Sequence, residues 1–204
     1  KNIVIATGAS VGTPPGVTLD GKKVLSYWEA ILQETLPGSV VIIGGGAIGV
    51  EFATVWRAYG AEVTIVEMLP RLVPLEDEEV SKELTKEFTR KGIKVKAGTK
   101  LESMDASGAK VKVKVSGAEG SETLEADQVL VATGFKPNSK GIGLEAVGVK
   151  TNPRGFVEID DAMKTNVPGV WAIGDVTGKL LLAHVGSAQG IVCAETIAGH
   201  PTVT

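Results

Sequence analysis

The sequence predicts an α/β fold: a parallel sheet carrying a small antiparallel meander. Three observations lead there. Val40-Val41-Ile42-Ile43 runs into a glycine cluster and then a helix-length apolar pattern. Lys110-Val-Lys-Val-Lys-Val115 alternates strictly, as a half-buried strand does. The phrase Ile3-Val-Ile-Ala-Thr-Gly8 returns almost unchanged as Val129-Leu-Val-Ala-Thr-Gly134, two apolar strands each closed by a Thr-Gly turn.

The first observation carries chemistry. The strand 40–43 opens into Gly44-x-Gly46-x-x-Gly49, and Ile48, Phe52, Val55, Trp56 and Tyr59 mark the inward face of a helix stopped by Gly60. A second strand, Glu62 to Val66, ends in Glu67, and Glu67 follows Gly46 by the spacing of roughly 20 residues that marks a dinucleotide fingerprint. Each glycine has a task. Gly44 turns the chain off the strand, Gly46 lets backbone approach a pyrophosphate, and Gly49 lets the helix lie close to the sheet. The amides of the helix start then face the phosphates, helped by about half a positive charge from the aligned peptide dipoles. From there the Glu67 carboxylate can accept hydrogen bonds from the adenosine ribose. A 2′-phosphate beside it would meet a like charge at a cost of several kcal/mol, on the order set by an effective dielectric near 20. NAD(H) is therefore expected over NADP(H); Arg71, alone after a proline, is weak support for a phosphate clamp.

The remaining elements follow in order. Residues 12 to 21 form a crossover rich in Pro and Gly. Ser26 caps a helix over Tyr27 to Glu34, with Glu29 at the capping-box position, and Pro37-Gly38 ends it. Leu75 to Lys91 reads as a helix with an inward stripe of Val80, Leu84 and Phe88; Glu76 to Glu79 at its start and Arg90-Lys91 at its end suit the dipole, and Gly92 closes it. The acidic run is a solvated helix start rather than a metal site. Residues 93 to 132 read as strands, with turns at Ser107-Gly108 and Gly117 to Gly120 and lysines on the wet face. The meander thus precedes the last parallel strand, Val129 to Val131. A later strand through Val170 ends in Ala172-Ile-Gly-Asp175, where Asp175 could accept from a polyol or cap a turn.

Composition excludes other classes. The 204 residues carry a formal charge of -3 with no basic run, and aromatic residues make up 4%, so nucleic-acid and anionic-membrane partners lack their electrostatic and stacking basis. No apolar run reaches membrane-spanning length and no secretory leader is read, so a soluble, cytoplasmic protein is expected. Cys193, the single cysteine, is expected to be a buried small residue, which leaves no intrachain disulfide or thiolate cluster. With two histidines, a metal site is not expected. A chain opening at Lys1-Asn2 directly on an apolar strand is expected to be part of something longer.

These phrases, with Gly44-Gly-Gly-Ala-Ile-Gly-Val-Glu-Phe52, Glu62-Val-Thr-Ile-Val-Glu67, Phe135-Lys-Pro137, Leu144-Glu145 and Leu182-Ala-His184, resemble the pyridine-nucleotide flavoprotein disulfide reductases nearly end to end. Leu181-Leu-Ala-His184 together with Glu67 is most similar to the branch that oxidises dihydrolipoamide. The resemblance implies a Rossmann-like NAD-binding domain over residues 25–148, with residues 1–24 and 149–204 belonging to an FAD-binding domain. It implies NAD contacts at Gly44, Gly46, Ile48, Gly49, Glu51, Glu67, Leu101 and Gly134, Glu51 lying toward the nicotinamide. It implies FAD contacts at Thr7, Gly8, Ala9, Asp175, Leu181, Leu182, Ala183 and His184. Glu51 also reads as a favourable charge in a first helical turn, and His184 as a helix-start histidine.

In that family a redox cysteine pair lies upstream and a dimerisation domain with a catalytic His-Glu pair downstream. No catalytic residue is expected within this chain, nor dihydrolipoamide oxidation or stable FAD binding by it alone. The implied partners of the parent are dihydrolipoamide on an acyl-carrier domain of a 2-oxo acid dehydrogenase complex, and a second copy as homodimer. The same phrases fit a transhydrogenase-like or mercuric reductase-like flavoprotein, or a non-catalytic nucleotide-binding module. The two flanks are expected to reach each other or to expose an apolar patch.

Overall fold

Ile3–Ile5 forms strand β1 and Ala9–Val11 strand β2, before the chain enters the larger of the two units into which it divides, residues 11–134. The structure, a computed structural model, describes residues 1–200. Within the larger unit come β3 (Val24–Leu25), α1 (Tyr27–Leu32), β4 (Ser39–Ile43), α2 (Ala47–Ala58), β5 (Glu62–Val66) and α3 (Glu78–Arg90). They are followed by β6 (Lys94–Lys96), β7 (Lys100–Asp105), β8 (Val111–Gly117), β9 (Gly120–Ala126) and β10 (Gln128–Val131).

β4 occupies the middle of a five-stranded, all-parallel sheet of order β3-β10-β4-β5-β6. Its residues alternate between two cores. Val40 and Ile42 pack with Ala53 and Trp56 of α2 and Phe88 of α3, whereas Val41 and Ile43 pack with Val111, Val113 and Val115 of β8. One sheet face is thus covered by helices and the other by the antiparallel meander β7-β8-β9. The period-two reading of β8 holds: its three valines are fully buried and Lys112 and Lys114 face water. A run of β-branched residues without polar alternation is what a strand covered on both faces needs.

α1 is closed by the capping box its spacing predicts. Trp28 N–H donates to Ser26 Oγ and Ser26 N–H donates to Glu29 Oε2. The helix ends at Leu32, two residues short of the expected Glu34, because Gln33 is already extended.

Two inward stripes differ from expectation. α2 buries Gly49, Ala53 and Trp56, while Val55 and Tyr59 are exposed; they line an open groove of about 560 Å³ together with Ile31, Leu36, Glu51 and Phe52. The small residues sit inward because only they let the helix axis come this close to the sheet. α3 starts at Glu78 rather than Leu75 and buries Ser81 and Phe88, leaving Val80 exposed. Ser81 can be the buried member because its hydroxyl donates to Val73 O at 3.4 Å; a polar atom with a partner is tolerated where an unpaired one is not.

The second unit comprises residues 1–10 and the segment from Phe135 onward. Phe135–Pro137 (β11) pairs with β2, and Val170–Ala172 (β12) pairs with β1 in parallel, Ile5 opposite Ala172. The two flanks therefore do reach each other. α4 (Ala183–Ala198) follows, and its Val192 and Cys193 are buried with Met163 and Trp171. β1 is less buried than its apolar sequence predicts: Ile5 is covered, but Ile3 and Val4 are exposed. No helix among the described residues is long and apolar enough to cross a membrane.

The starts of β4 and β10 are stapled by Asp127. Ser39 N–H and Oγ donate to its Oδ2 at 2.8 and 2.9 Å. The Ser39 hydroxyl, with lesser help from the Ser39 N–H and Lys110, holds the Asp127 carboxyl below the usual range against the opposing effect of burial. A carboxyl depressed in the folded state stabilises fully above its unfolded value and loses that contribution as pH falls through the folded one. Unfolding midpoints measured from pH 7 to pH 2 should fall below about pH 4, and Asp127→Asn should be less stable at pH 7 while losing less on acidification.

Candidate nucleotide site

The larger unit assembles its candidate site where β4 gives way to α2. β4 is the strand from which the order runs outward through β5 to one side and β10 to the other, and the crevice at such a switch point, at the carboxyl ends of the strands, is where open α/β sheets take ligands. Gly44 has φ +112°, and a Cβ there would stand 2.3 Å from the carbonyl oxygen of Ala132, at the end of β10. A Cβ on Gly49 would lie 2.0 Å from the Gly44 carbonyl oxygen. Gly46 differs from both: a Cβ would meet nothing within 4 Å. Its missing side chain serves no internal contact and leaves open space over the first turn of α2.

The helix caps separate the same way. α1 is capped by the Ser26 side chain and α3 by Asp77, whose carboxylate accepts from Glu79 N–H. α2 and α4 begin at Gly46 and Leu182 with no side-chain cap. Their leading amides are the orphan donors of a helix start, with the positive end of the dipole behind them.

Glu67 is buried at the end of β5, beside the glycine turn. Its Oε2 accepts from Gly45 N–H at 2.6 Å and its Oε1 from Leu69 N–H at 2.7 Å. Besides the acceptor its spacing predicts, this acid is a tie that fixes the turn. Each carboxylate oxygen retains a second lone-pair direction for another donor.

Gly45, a filler position in the fingerprint, is also closely approached, since a Cβ there would stand 2.6 Å from Leu72 Cδ2 and 3.1 Å from Glu67 Cβ. Leu72 is fully buried and belongs to a loop, residues 68–77, folded against the turn. In that loop Val73 takes φ +41° and its N–H donates to Gly45 O at 2.7 Å. A β-branched residue in the left-handed region costs about 1–3 kcal/mol. Nothing in the local sequence Arg71-Leu-Val-Pro74 signals it. Arg71 is occupied within this loop, donating to the carbonyls of Pro74 and Glu76 and lying 3.9 Å from Glu78.

Other expected residues fall around the same crevice or away from it. Gly134 is exposed at φ +100°, past the end of β10, with Gly12 N–H donating to its carbonyl. Ile48 is half-buried in the first turn of α2, and Glu51, exposed, looks onto the α1–α2 groove. Leu101 lies in β7 opposite Val115 and packs into the valine layer of the meander.

The second unit has its own strand-end constellation. Past β1, Thr7, Gly8 and Ala9 form a turn tied by Asn138, which the sequence reading did not single out. Asn138 Nδ2 donates to Thr7 O, its N–H to Gly8 O, and its Oδ1 accepts from Ser10 Oγ. Past β12, Asp175 sits half-buried in a 3-10 turn, Gly174–Thr177. Gln189 of α4, buried, accepts from Gly174 N–H at 2.6 Å and sets that turn. Leu181 precedes α4, Leu182 is its N-cap, and Ala183 and His184 lie exposed in its first turn.

The sequence profile of the pyridine nucleotide-disulphide oxidoreductases matches residues 1–190. The chain belongs to that family. Among its relatives, a dihydrolipoyl dehydrogenase of Mycobacterium leprae is 53% identical over 203 residues, covering 100% of this chain and 43% of the relative. One of Mycobacterium tuberculosis is 48% identical, covering 100% of this chain and 44% of the relative. Among solved structures, LpdA from M. tuberculosis superposes with a TM-score of 0.89 at 30% identity, over 98% of this chain and 43% of that one. The flavoprotein disulfide reductase RclA of Escherichia coli superposes with a TM-score of 0.88 at 27% identity, over 100% and 46%. The chain spans less than half the length of these relatives.

Gly46 and Gly49 can be told apart by experiment. Gly49→Ala drives a methyl into backbone and should destabilise by about 3 kcal/mol or more in urea titrations. Gly46→Ala, at an ordinary φ of -76° in open space, should cost no more than about 1 kcal/mol as an inferior N-cap, yet weaken NADH binding at least about tenfold, about 1.4 kcal/mol.

Proposed function

We propose that this chain is the NAD-binding centre of a dihydrolipoyl dehydrogenase-type flavoprotein, a cytoplasmic enzyme that oxidises dihydrolipoamide and reduces NAD⁺. The observation that carries the reading is the glycine turn at β4. It combines an open Gly46, an uncapped α2 and a buried carboxylate one strand away. A dinucleotide fits those residues, because the diphosphate needs unpaired amides at close range and the adenosine ribose needs an acceptor beyond them.

In this reading the amides leading α2, including those of Ile48 and Gly49, hold the diphosphate. The free lone pairs of Glu67 accept from the ribose hydroxyls, while its amide contacts keep the turn from shifting as ligand enters. Leu101 closes the adenine side; Gly134 leaves the nicotinamide side open, and Glu51 approaches it from the first helical turn. When bound, NAD⁺ supplies the acceptor for a hydride and FAD the two-electron carrier that delivers it. The chain's part is to orient the nicotinamide.

In this reading residues 25–148 are the NAD domain and residues 1–24 and 149–204 the FAD domain, bounds that differ from the compact units 11–134 and 1–10 with 135 onward. Thr7, Gly8 and Ala9 at the end of β1, Asp175 past β12, and Leu181, Leu182, Ala183 and His184 at the uncapped start of α4 are its FAD contacts. The support for FAD is the pairing of two parallel strand ends with a helix whose leading amides no side chain covers. The parent's partners are the dihydrolipoamide arm of an acyl-carrier domain in a 2-oxo acid dehydrogenase complex and a second copy of the chain.

Selectivity tests the reading. A 2′-phosphate would be brought to the Glu67 carboxylate, with Arg71 already engaged elsewhere. Calorimetric titration should give at least about tenfold tighter binding of NADH than of NADPH, about 1.4 kcal/mol; equal affinities would remove the assignment.

A further inference from the structure

We infer that Val73 is a positioning residue for the nucleotide turn, acting through its backbone N–H from a strained conformation. The inference rests on the NAD reading above and concerns what readies that site before a ligand arrives.

Both polar groups of Gly45 are engaged. Its N–H donates to Glu67 Oε2 at 2.6 Å and its carbonyl accepts from Val73 N–H at 2.7 Å. Upstream, Gly44 N–H donates to Val66 O at 2.9 Å. The peptide joining Gly45 to Gly46 is trans, and across a planar trans peptide the C=O and the next N–H point in opposite directions. Drawing the Gly45 carbonyl toward Val73 therefore turns the Gly46 N–H away from the loop. That amide belongs to the residue whose absent side chain leaves open space. One bond to the loop thus decides where the leading amide of the turn is aimed.

Val73 makes this contact at φ +41°. A valine does not adopt that conformation by its own preference, since its branched Cβ crowds the backbone there. The surroundings impose it. Leu72 is fully buried, with its side chain over Gly45. Leu69 N–H is held by Glu67, and Leu69 O accepts from Gly98 N–H at 2.8 Å. Arg71 ties the far side of the loop to Pro74 and Glu76, and Ser81 donates to Val73 O. The loop is anchored on both sides of the strained residue, and the polar contact its N–H makes is with the glycine turn. Strain held in place by anchors on either side is what a pre-set binding site requires.

The test compares Val73→Pro, which deletes the N–H and forbids a positive φ, with Val73→Asn, which keeps the N–H and tolerates the left-handed region. Titrations use NADH, ADP-ribose and adenosine. Val73→Pro should weaken ADP-ribose and NADH by about tenfold or more and leave adenosine within about twofold, because adenosine carries no diphosphate for the turn to hold. A general loss of structure would weaken all three together, and that result would overturn the inference. Val73→Asn should bind like the parent chain, whatever its melting point, since the valine side chain also packs against the core. Binding lost equally in both variants, or kept in Val73→Pro, overturns it. Should Val73→Pro fail to fold, amide hydrogen exchange on the unmodified chain decides. The Val73 amide should exchange at least about tenfold slower than an unstructured amide, and an unprotected one overturns the inference. A parent chain that binds neither NADH nor ADP-ribose would instead remove the nucleotide reading itself, a result distinct from a variant series that binds normally.

Discussion

The hydrogen bond from Gly45 N–H to the Glu67 carboxylate is the constraint on which the rest of the site depends. It links the turn after β4 to the end of β5, two points separated in sequence by a whole helix. Buried charge is costly unless hydrogen-bonded, and Glu67 meets that condition with two backbone amides rather than with a cation. The acid is thus stable where it sits before any ligand arrives. Its negative charge also faces the same turn whose helix presents the positive end of its dipole, so one residue both shapes the site and polarises it.

That arrangement requires β4 and β5 to keep their register, and the packing of the sheet secures it. Each face of β4 is sealed by a different kind of layer, helices on one side and the valine stripe of β8 on the other. A slip of one residue would exchange the two faces of the strand and misplace every partner. On the other side of β4, the Asp127–Ser39 staple at the amino ends of β4 and β10 fixes the register of that pair. The carboxyl ends are then free to carry glycines, open space and exposed backbone, which a sheet without those anchors would not tolerate.

Helix starts show how stability and binding are divided. Where a helix only supports the fold, as α1 and α3 do, a side chain from its own sequence satisfies its first amides. Where a helix start faces a strand-end crevice, as α2 and α4 do, no side chain closes it. Of these four helix starts the two without a side-chain cap fall one in each unit.

Much of this was legible in the chain of letters alone. The fingerprint glycines, the acid at the end of β5, the meander ahead of β10 and the Ser26 capping box all depend on local spacing, and local spacing survives folding unchanged. The inward faces of α2 and α3 were misjudged by about one position. Periodicity counts apolar residues, whereas packing against a sheet selected Gly49, Ala53 and Ser81 for their size and for a partner's position. The Asn138 tie, the Gln189 contact with Gly174 and the left-handed Val73 were invisible, because each is a bond to a segment remote in sequence. The sequence by itself determined which residues could meet a dinucleotide. Only the tertiary structure decided that Glu67 would hold the turn, since the direction of a carboxylate's free lone pairs is set by the neighbours that occupy the others.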